Sequence, residues 1–425
     1  MKRNLSKVII ILLGLNVSFA AFAQLEETEL SPVEKLEQRS DLLESAAKTL
    51  QKLKVSGYVQ TQFQYGEKDA ALKVGSANEN AEQAFSRIGI RRGRIKFAYE
   101  EGIASGVFQL DLTEKGIGIK DAYLNIKDPV FMTNAIKAGV FDRPFGNEIS
   151  YSSSRRESPE RSAVFQTLFP EERDLGVMLL LQPAKTSAFN FLKLEAGLFA
   201  GNGIKPETDS RRDFIGHLSF DKSIGSDMKI GGGASYYRGS AYQGAENVYR
   251  TSGNGFTLDS NTENIGKFAK REYFGFDVQF VTVSVLGMTQ LRAEYLLGEQ
   301  PGAKQNSKSP NAAALPATDT YIRNFRGGYA IFVQDFGNLP FSVVLKYDFY
   351  DPNTAVAKND LGQNHTAAGD VATDTFGFGL LWRANSNLRV QAFYEINRNE
   401  TSENLAAYTA DRQDNVFTLR LQYKF

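Results

Sequence analysis

The sequence predicts an all-β protein: one antiparallel transmembrane β-barrel of sixteen strands, preceded by a short N-terminal helix and narrowed by an inward-folded third loop. Three observations predict it. From residue 55 to the end, apolar and polar residues alternate with the period of two that puts successive side chains on opposite faces of a strand. The connections between these segments are short turns and long polar loops, an asymmetry of outer-membrane barrels. The chain also ends on an amphipathic strand. Phe417, Leu419, Leu421, Tyr423 and Phe425 share one face, and Val416, Thr418, Arg420, Gln422 and Lys424 share the other.

Composition narrows the classes. A chain of 425 residues holds two ordinary domains or one large barrel. Basic and acidic residues balance at 49 each, so the whole chain is not a polyanion binder. There is no cysteine, hence no disulfide framework, thiolate metal site or cysteine nucleophile. The 31 Phe and 18 Tyr suit a lipid-facing wall, and 37 Gly against 12 Pro suits strands joined by tight turns.

The N-terminus reads as a targeting segment over residues 1–23. Lys2, Arg3 and Lys7 precede the apolar run Val8 to Leu15, and Ala21-Phe22-Ala23 is an A-x-A site with cleavage expected after Ala23. Residues 24–54 read as a periplasmic helix or linker. Ser31-Pro32 offers a cap and a first-turn proline, and Leu36, Leu43 and Leu50 recur every seven residues. A self-associating helix and a flexible tether both remain open. No later stretch is apolar for the 18 or so residues that a spanning helix needs.

The barrel is expected over 55–425. Sixteen segments carry the alternation: 55–66, 85–100, 105–114, 118–128, 134–142, 174–183, 190–201, 213–222, 228–239, 271–282, 287–298, 321–335, 340–351, 374–385, 388–398 and 414–425. Strands of about ten residues tilted near 45° cross a bilayer, and single-chain bacterial barrels have even strand numbers. Glu114–Gly118, Asp128–Asn134, Gly225–Met228, Phe336–Pro340 and Asn385–Asn387 read as the short turns. Glu67–Ala84, Pro144–Arg173, Gly239–Lys270, Glu299–Thr320 and Pro352–Thr373 read as the long external loops.

Two stretches carry the chemistry. In Ser86 to Tyr99, Ile95, Phe97 and Tyr99 share one face while Arg92, Arg94 and Lys96 share the other. A cation facing lipid at mid-depth costs about 2–4 kcal/mol, so the cationic face belongs to the lumen. There the three either pair with neighbouring carboxylates such as Asp111 and Asp121 or form a net positive stripe. Arg87 and Arg91 have the opposite parity, which a bulge or a place at the membrane rim would explain. In Phe141 to Arg173, Ser152, Ser153, Ser154, Arg155, Arg156 and Arg161 supply the hydroxyls and guanidiniums that a partly dehydrated oxyanion needs. Folded inward, this segment would narrow the pore; left outside, its charges would face water. Glu157, Glu160, Glu171 and Glu172 dilute its positive charge.

The run GYVQTQFQYG, then RRGRIKF, then AIKAGVFDRPFGNEISYSSSRRESPERS and FPEERDLGVMLLLQP resembles the phosphate-selective porin O and P family, as does the Phe-terminated end. Arg92 and Arg94, Pro144 to Gly146, and Arg173 to Gly176 are its firmest points. The resemblance implies a usually trimeric, sixteen-stranded porin of a Gram-negative outer membrane, with strand-borne arginines and a constricting third loop. Arg92, Arg94 and Lys96 would then line the pore with Ser152 to Arg156 and Arg161 as anion-binding groups. The expected function is passive diffusion of small anions, phosphate favoured by resemblance; the alternative is a general or sugar-type channel. No cofactor, metal or nucleic acid is implied. Catalysis is disfavoured because His217 and His365 are the only histidines and neither sits in a nucleophile–base pattern.

Overall fold

The computed structural model describes residues 39–44 and 50–425. The targeting segment and much of the expected N-terminal helix lie outside them; residues 39–44 and 50–52 are helical. The chain divides at Leu53 into an N-terminal unit and a barrel unit, each described by itself.

The strands are β1 (Leu53–Gly66), β2 (Phe85–Glu101), β3 (Ala104–Thr113), β4 (Gly116–Lys127), β5 (Ala135–Asp142), β6 (Arg173–Leu181), β7 (Leu192–Phe199), β8 (Asp213–Ile224), β9 (Met228–Tyr242), β10 (Asn247–Ser252), β11 (Gly255–Ser260), β12 (Phe268–Ser284), β13 (Gly287–Gly302), β14 (Thr320–Asp335), β15 (Phe341–Asp351), β16 (Thr373–Arg383), β17 (Leu388–Asn399) and β18 (Val416–Lys424). Sixteen of them form the wall, each antiparallel to the next. β9 pairs directly with β12, so β10 and β11 stand apart as a hairpin within the connection. β1 pairs with β18 from Tyr58↔Lys424 to Gly66↔Val416, which closes the barrel and leaves no free edge. Gly57 and Phe425 exchange both backbone hydrogen bonds at 3.0 Å across this seam.

The alternation has its expected cause. On β18, Leu419, Leu421 and Tyr423 point outward and exposed, while Thr418, Arg420 and Gln422 are buried on the lumen side. The hairpin β10–β11 corrects the reading of 239–270 as plain loop: it turns at Gly253-Asn254, and β10 lies parallel to β14. A second correction concerns Glu114–Gly118. This turn lies at the long-loop end of the barrel and is the one short connection there.

β2 changes phase midway. Ile88 and Ile90 point outward near its start, yet Phe97 and Tyr99 do so near its end. Even positions thus give way to odd, and both Arg91 and Arg92 turn into the lumen. Arg91, whose parity called for a bulge or a rim position, faces the lumen through this change of phase.

The main apolar core lies inside the barrel, between the long 143–172 loop and the wall. Phe145, Val164, Phe165, Leu168 and Phe169 of the loop pack with Tyr237, Tyr273, Phe325 and Tyr329 of the strands. Phe169 stands between Phe145, Phe165, Tyr237 and Tyr273, with ring centroids 4.9–5.9 Å apart. Burying such rings supplies the apolar contact that holds an otherwise polar segment inward.

Candidate functional site

The loop 143–172 leaves β5, crosses the interior and returns into β6. Its base is fixed by Glu294 on β13. The backbone N–H groups of Asn147 and Glu148 donate to the two oxygens of that carboxylate at 3.0 and 2.5 Å. Tyr329 donates its hydroxyl to the same group at 2.7 Å, and Gly146 N–H donates to Ser235 Oγ on β9 at 2.9 Å. Gly146 has φ +60°, a left-handed value that costs glycine little.

Its middle holds a short helix, α1 (Ala163–Leu168). Ala163 N–H donates to Asp348 on β15 at 3.1 Å, and Ser162 donates its hydroxyl and N–H to Glu148. Arg161 staples the loop to itself by donating to the carbonyls of Glu148 and Ile149 at 2.8 Å and by pairing with Glu172.

Its far side is held by Glu160. Arg91 binds this carboxylate through Nε and Nη2 at 2.8 Å each, and Arg92 and Arg420 each approach at 2.9 Å. Burial alone would push the Glu160 pKa up, but the three guanidiniums outweigh it and hold the carboxylate well below its ordinary range. Further along, Tyr58 and Ser153 share a hydroxyl hydrogen bond at 2.6 Å, and Gln60 and Gln422 donate to the carbonyls of Ser153 and Ser154 at 3.0 Å.

The residues singled out in the sequence therefore have unequal surroundings. Arg92 is buried and shares the single Glu160 carboxylate with Arg91 and Arg420. Arg94 pairs with Asp111 at 3.3 Å and donates to Ser153 Oγ at 3.1 Å. Asp121, the other carboxylate considered, pairs with Arg173 instead. Lys96 and Arg155 have no ion pair among the described residues; Arg155 stands over the Tyr151 ring at 5.7 Å. Ser152 and Ser154 hydrogen-bond one another at 3.0 Å. Arg156 is buried within the loop, and none of its three guanidinium nitrogens has a hydrogen-bond partner among the described residues. Burial first, then Arg161 and Arg92, pull its pKa well below the ordinary value.

The loop leaves cavities on both sides. Toward the short-turn end, one of 370 Å³ lies against β1–β5; it is lined by seven cations (Arg94, Lys96, Lys137, Arg155, Arg161, Arg173 and Lys424) and two carboxylates, Asp121 and Asp142. Toward the long-loop end, a cavity of 280 Å³ lies against β2–β4 and shares Arg94 and Arg161 with the first. Arg94 and Arg161 thus stand between the two cavities. A third cavity, 270 Å³ against β1 and β15–β18, also touches Arg161 but carries six carboxylates against four cations. A fourth, 600 Å³ against β7–β9, has most of its charged groups paired: Lys193 with Glu195 and Lys229 with Asp221 within 2.9 Å, and His217 hydrogen-bonded to Asp277 at 2.9 Å, while Lys222 stands over the Phe191 ring at 5.2 Å.

The sequence reading missed Lys137, Arg173, Lys424 and Arg420. Lys137 interrupts the apolar strand AIKAGVF on the lumen face, and the cost rule that places Arg94 inside would have placed it there too. It now lies 5.0 and 5.2 Å from the ring centres of Tyr123 and Phe141. Arg420 was put on the lumen face without a partner because its partner is remote in the chain.

The family model described as phosphate-selective porin O and P matches residues 89–425. No curated protein matches the sequence. Among solved structures, the outer membrane channel DcaP of Acinetobacter baumannii is similar at 14% identity and a TM-score of 0.53, covering 88% of this chain and 97% of that one. An anion-selective porin from Comamonas acidovorans is similar at 10% identity and 0.51, covering 88% and 99%. OmpT of Vibrio cholerae in its trimer form is similar at 12% identity and 0.51, also covering 88% and 99%. At these identities the likeness speaks for the fold.

Proposed function

The chain belongs to the phosphate-selective porin O and P family, and from that premise we propose that it passes small anions by passive diffusion, as a homotrimer, with phosphate or a related oxyanion favoured. Family and fold support an outer-membrane porin, and a channel's role is the reading they favour over an enzyme's.

One observation carries the anion reading. Three of the loop's five acidic residues are taken up as close counterions: Glu160 by Arg91, Arg92 and Arg420, Glu157 by Arg292, and Glu172 by Arg161 and Lys120. Among the described residues, Lys96, Lys137, Arg155 and Lys424 then stand without ion pairs around the 370 Å³ cavity next to Arg94 and Arg161. An anion entering would exchange part of its hydration for these donors, and several weak sites in succession would let it leave again. The phosphate preference rests on the family description, and the trimer on the trimer form of OmpT.

The 600 Å³ cavity, where Lys193 and Lys229 are paired with carboxylates, supports a second reading as a general or sugar-type channel. Planar-bilayer recordings separate the two. Under a KCl gradient the reversal potential should report anion preference, and added phosphate should reduce chloride conductance at low concentration. A cation-selective channel would remove the anion reading; anion selectivity without phosphate block would remove phosphate alone.

A further inference from the structure

We propose that two neighbouring turns at the short-turn end, 284–287 and 336–340, sit in the phospholipid of the periplasmic leaflet and anchor the β12–β15 wall there. The inference rests on the outer-membrane porin reading alone, whichever solute the pore prefers.

The first observation is what these turns expose. Val285, Leu286 and Leu339 are 99%, 70% and 63% exposed, and Phe336 is exposed as well. Neither turn carries a charged residue. Two other turns at the same end, Gly225-Ser226-Asp227 and Asn385-Ser386-Asn387, are polar. A contiguous apolar patch marks a contact surface, and here the wall beside it says with what. The patch continues the outward face of the barrel, where Phe341 and Trp382 lie opposite one another on β15 and β16 with ring centroids 6.4 Å apart. Exposed aromatic residues at a strand end are what the boundary between hydrocarbon and headgroups selects.

The second observation is depth. Toward the long-loop end, outward charge stops at Glu272 on β12 and at Asp351 on β15, and the apolar face begins at Phe274 and Phe349. Ten residues lead from Phe274 to Ser284 and eight from Phe349 to Phe341. At about 3.3 Å per residue and a tilt near 45° these stretches rise about 23 and 19 Å, short of the apolar band of about 25 Å. The turns supply the missing height. Their backbone is suited to it. Leu286 N–H donates to Ser284 Oγ at 3.2 Å, Leu339 N–H to the Phe336 carbonyl at 2.9 Å and Arg383 N–H to the Pro340 carbonyl at 2.7 Å. Gly337 N–H donates to the Leu286 carbonyl at 2.8 Å and ties the two turns into one unit. Gly287 permits that approach, since a Cβ there would meet the Asp335 carbonyl. Backbone groups paired within the protein can enter the lipid boundary, whereas unpaired ones cannot. The strands that meet in these turns carry Glu294, Tyr329 and Asp348, so the anchor steadies the wall to which the inward loop is fastened.

The sequence holds a single tryptophan, so Trp382→Phe gives a background in which one new indole reports alone. Val285→Trp and Leu339→Trp place it in the two turns, and Ser226→Trp places it in a polar turn for comparison. Each full-length variant is reconstituted into phosphatidylcholine vesicles with or without bromine on the acyl chains. Conductance shows that a variant has folded, and either turn variant suffices if the other fails. Brominated lipid should quench the indoles at 285 and 339 several-fold more than the one at 226, and their emission should lie at shorter wavelength. Quenching at 285 and 339 no greater than at 226 overturns the anchor and leaves the porin standing. An unaltered chain that forms no channels overturns the porin reading and the anchor with it.

Discussion

Glu160 and Arg420 meet at 2.9 Å although 260 residues separate them, so the inward loop is fastened to the strand that closes the barrel. Arg91 and Arg92 converge on the same carboxylate. Glu160→Gln keeps the shape of the side chain and removes the charge that three buried guanidiniums share. Breaking a buried pair costs about 3–5 kcal/mol, and that is the loss expected in unfolding stability. The lumen also gains one positive charge, so the reversal potential should move toward stronger anion preference. Denaturation in detergent and bilayer recording check the two halves separately. An unaltered melting point would mean that the loop is held without this cluster.

The same carboxylate sets an acid limit. Its folded pKa lies well below the ordinary range, while an unfolded glutamate titrates near about 4.3. A depressed folded pKa contributes stability that is present above the unfolded value and lost as pH falls through the folded one. The melting temperature should therefore hold from neutral pH to about 5 and drop in more acid solution, with Glu160→Gln showing a shallower drop. Circular dichroism melts across that range measure it. Parallel acid curves for the two proteins would contradict the assignment.

Selectivity should follow the cations without counterions rather than the row most visible in the sequence. Lys96→Glu or Lys137→Glu reverses a charge that has no ion pair in the 370 Å³ cavity. Either should shift the reversal potential strongly toward cations. Arg92→Gln removes one of three cations gathered on Glu160, outside the lining of the 370 Å³ cavity, and should shift it less, while lowering stability. If Arg92→Gln changes selectivity as much as Lys137→Glu, the uncompensated lysines are not the filter.

What the sequence made legible follows from what the bilayer demands. An outward position must be apolar, so alternation marks each wall strand locally, and all sixteen wall segments were read from it. The hairpin β10–β11 obeys no such demand. Its turn signal, Gly253-Asn254-Gly255, was present but lay in a stretch read as loop. The phase change in β2 was half legible: the parity of Arg91 marked an irregularity, and only the fold shows that it turns Arg91 inward beside Arg92. The cluster at Glu160 depends on closure, which joins the second, the last and the looped segments only in three dimensions. Acidic residues in 157–172 that read as diluting the loop's charge are the groups that fasten it to the wall.

The base of the loop supplies the last expectation. Glu294 receives two consecutive backbone N–H groups at Asn147 and Glu148 and the hydroxyl of Tyr329. Glu294→Ala strands those N–H donors, and an unmet buried group costs about 1–3 kcal/mol. Gly146→Ala attacks the same joint from the other side, since a Cβ there would overlap the Glu294 carboxylate and the backbone sits at φ +60°. Glu160 and Asp348 still hold the far end of the loop, so neither change frees it entirely. Both variants should give channels of higher mean conductance with added current noise, and both should be less stable. Single-channel traces at fixed voltage decide it, and quiet traces from Glu294→Ala would show that the aromatic packing around Phe145 and Phe169 holds the base alone.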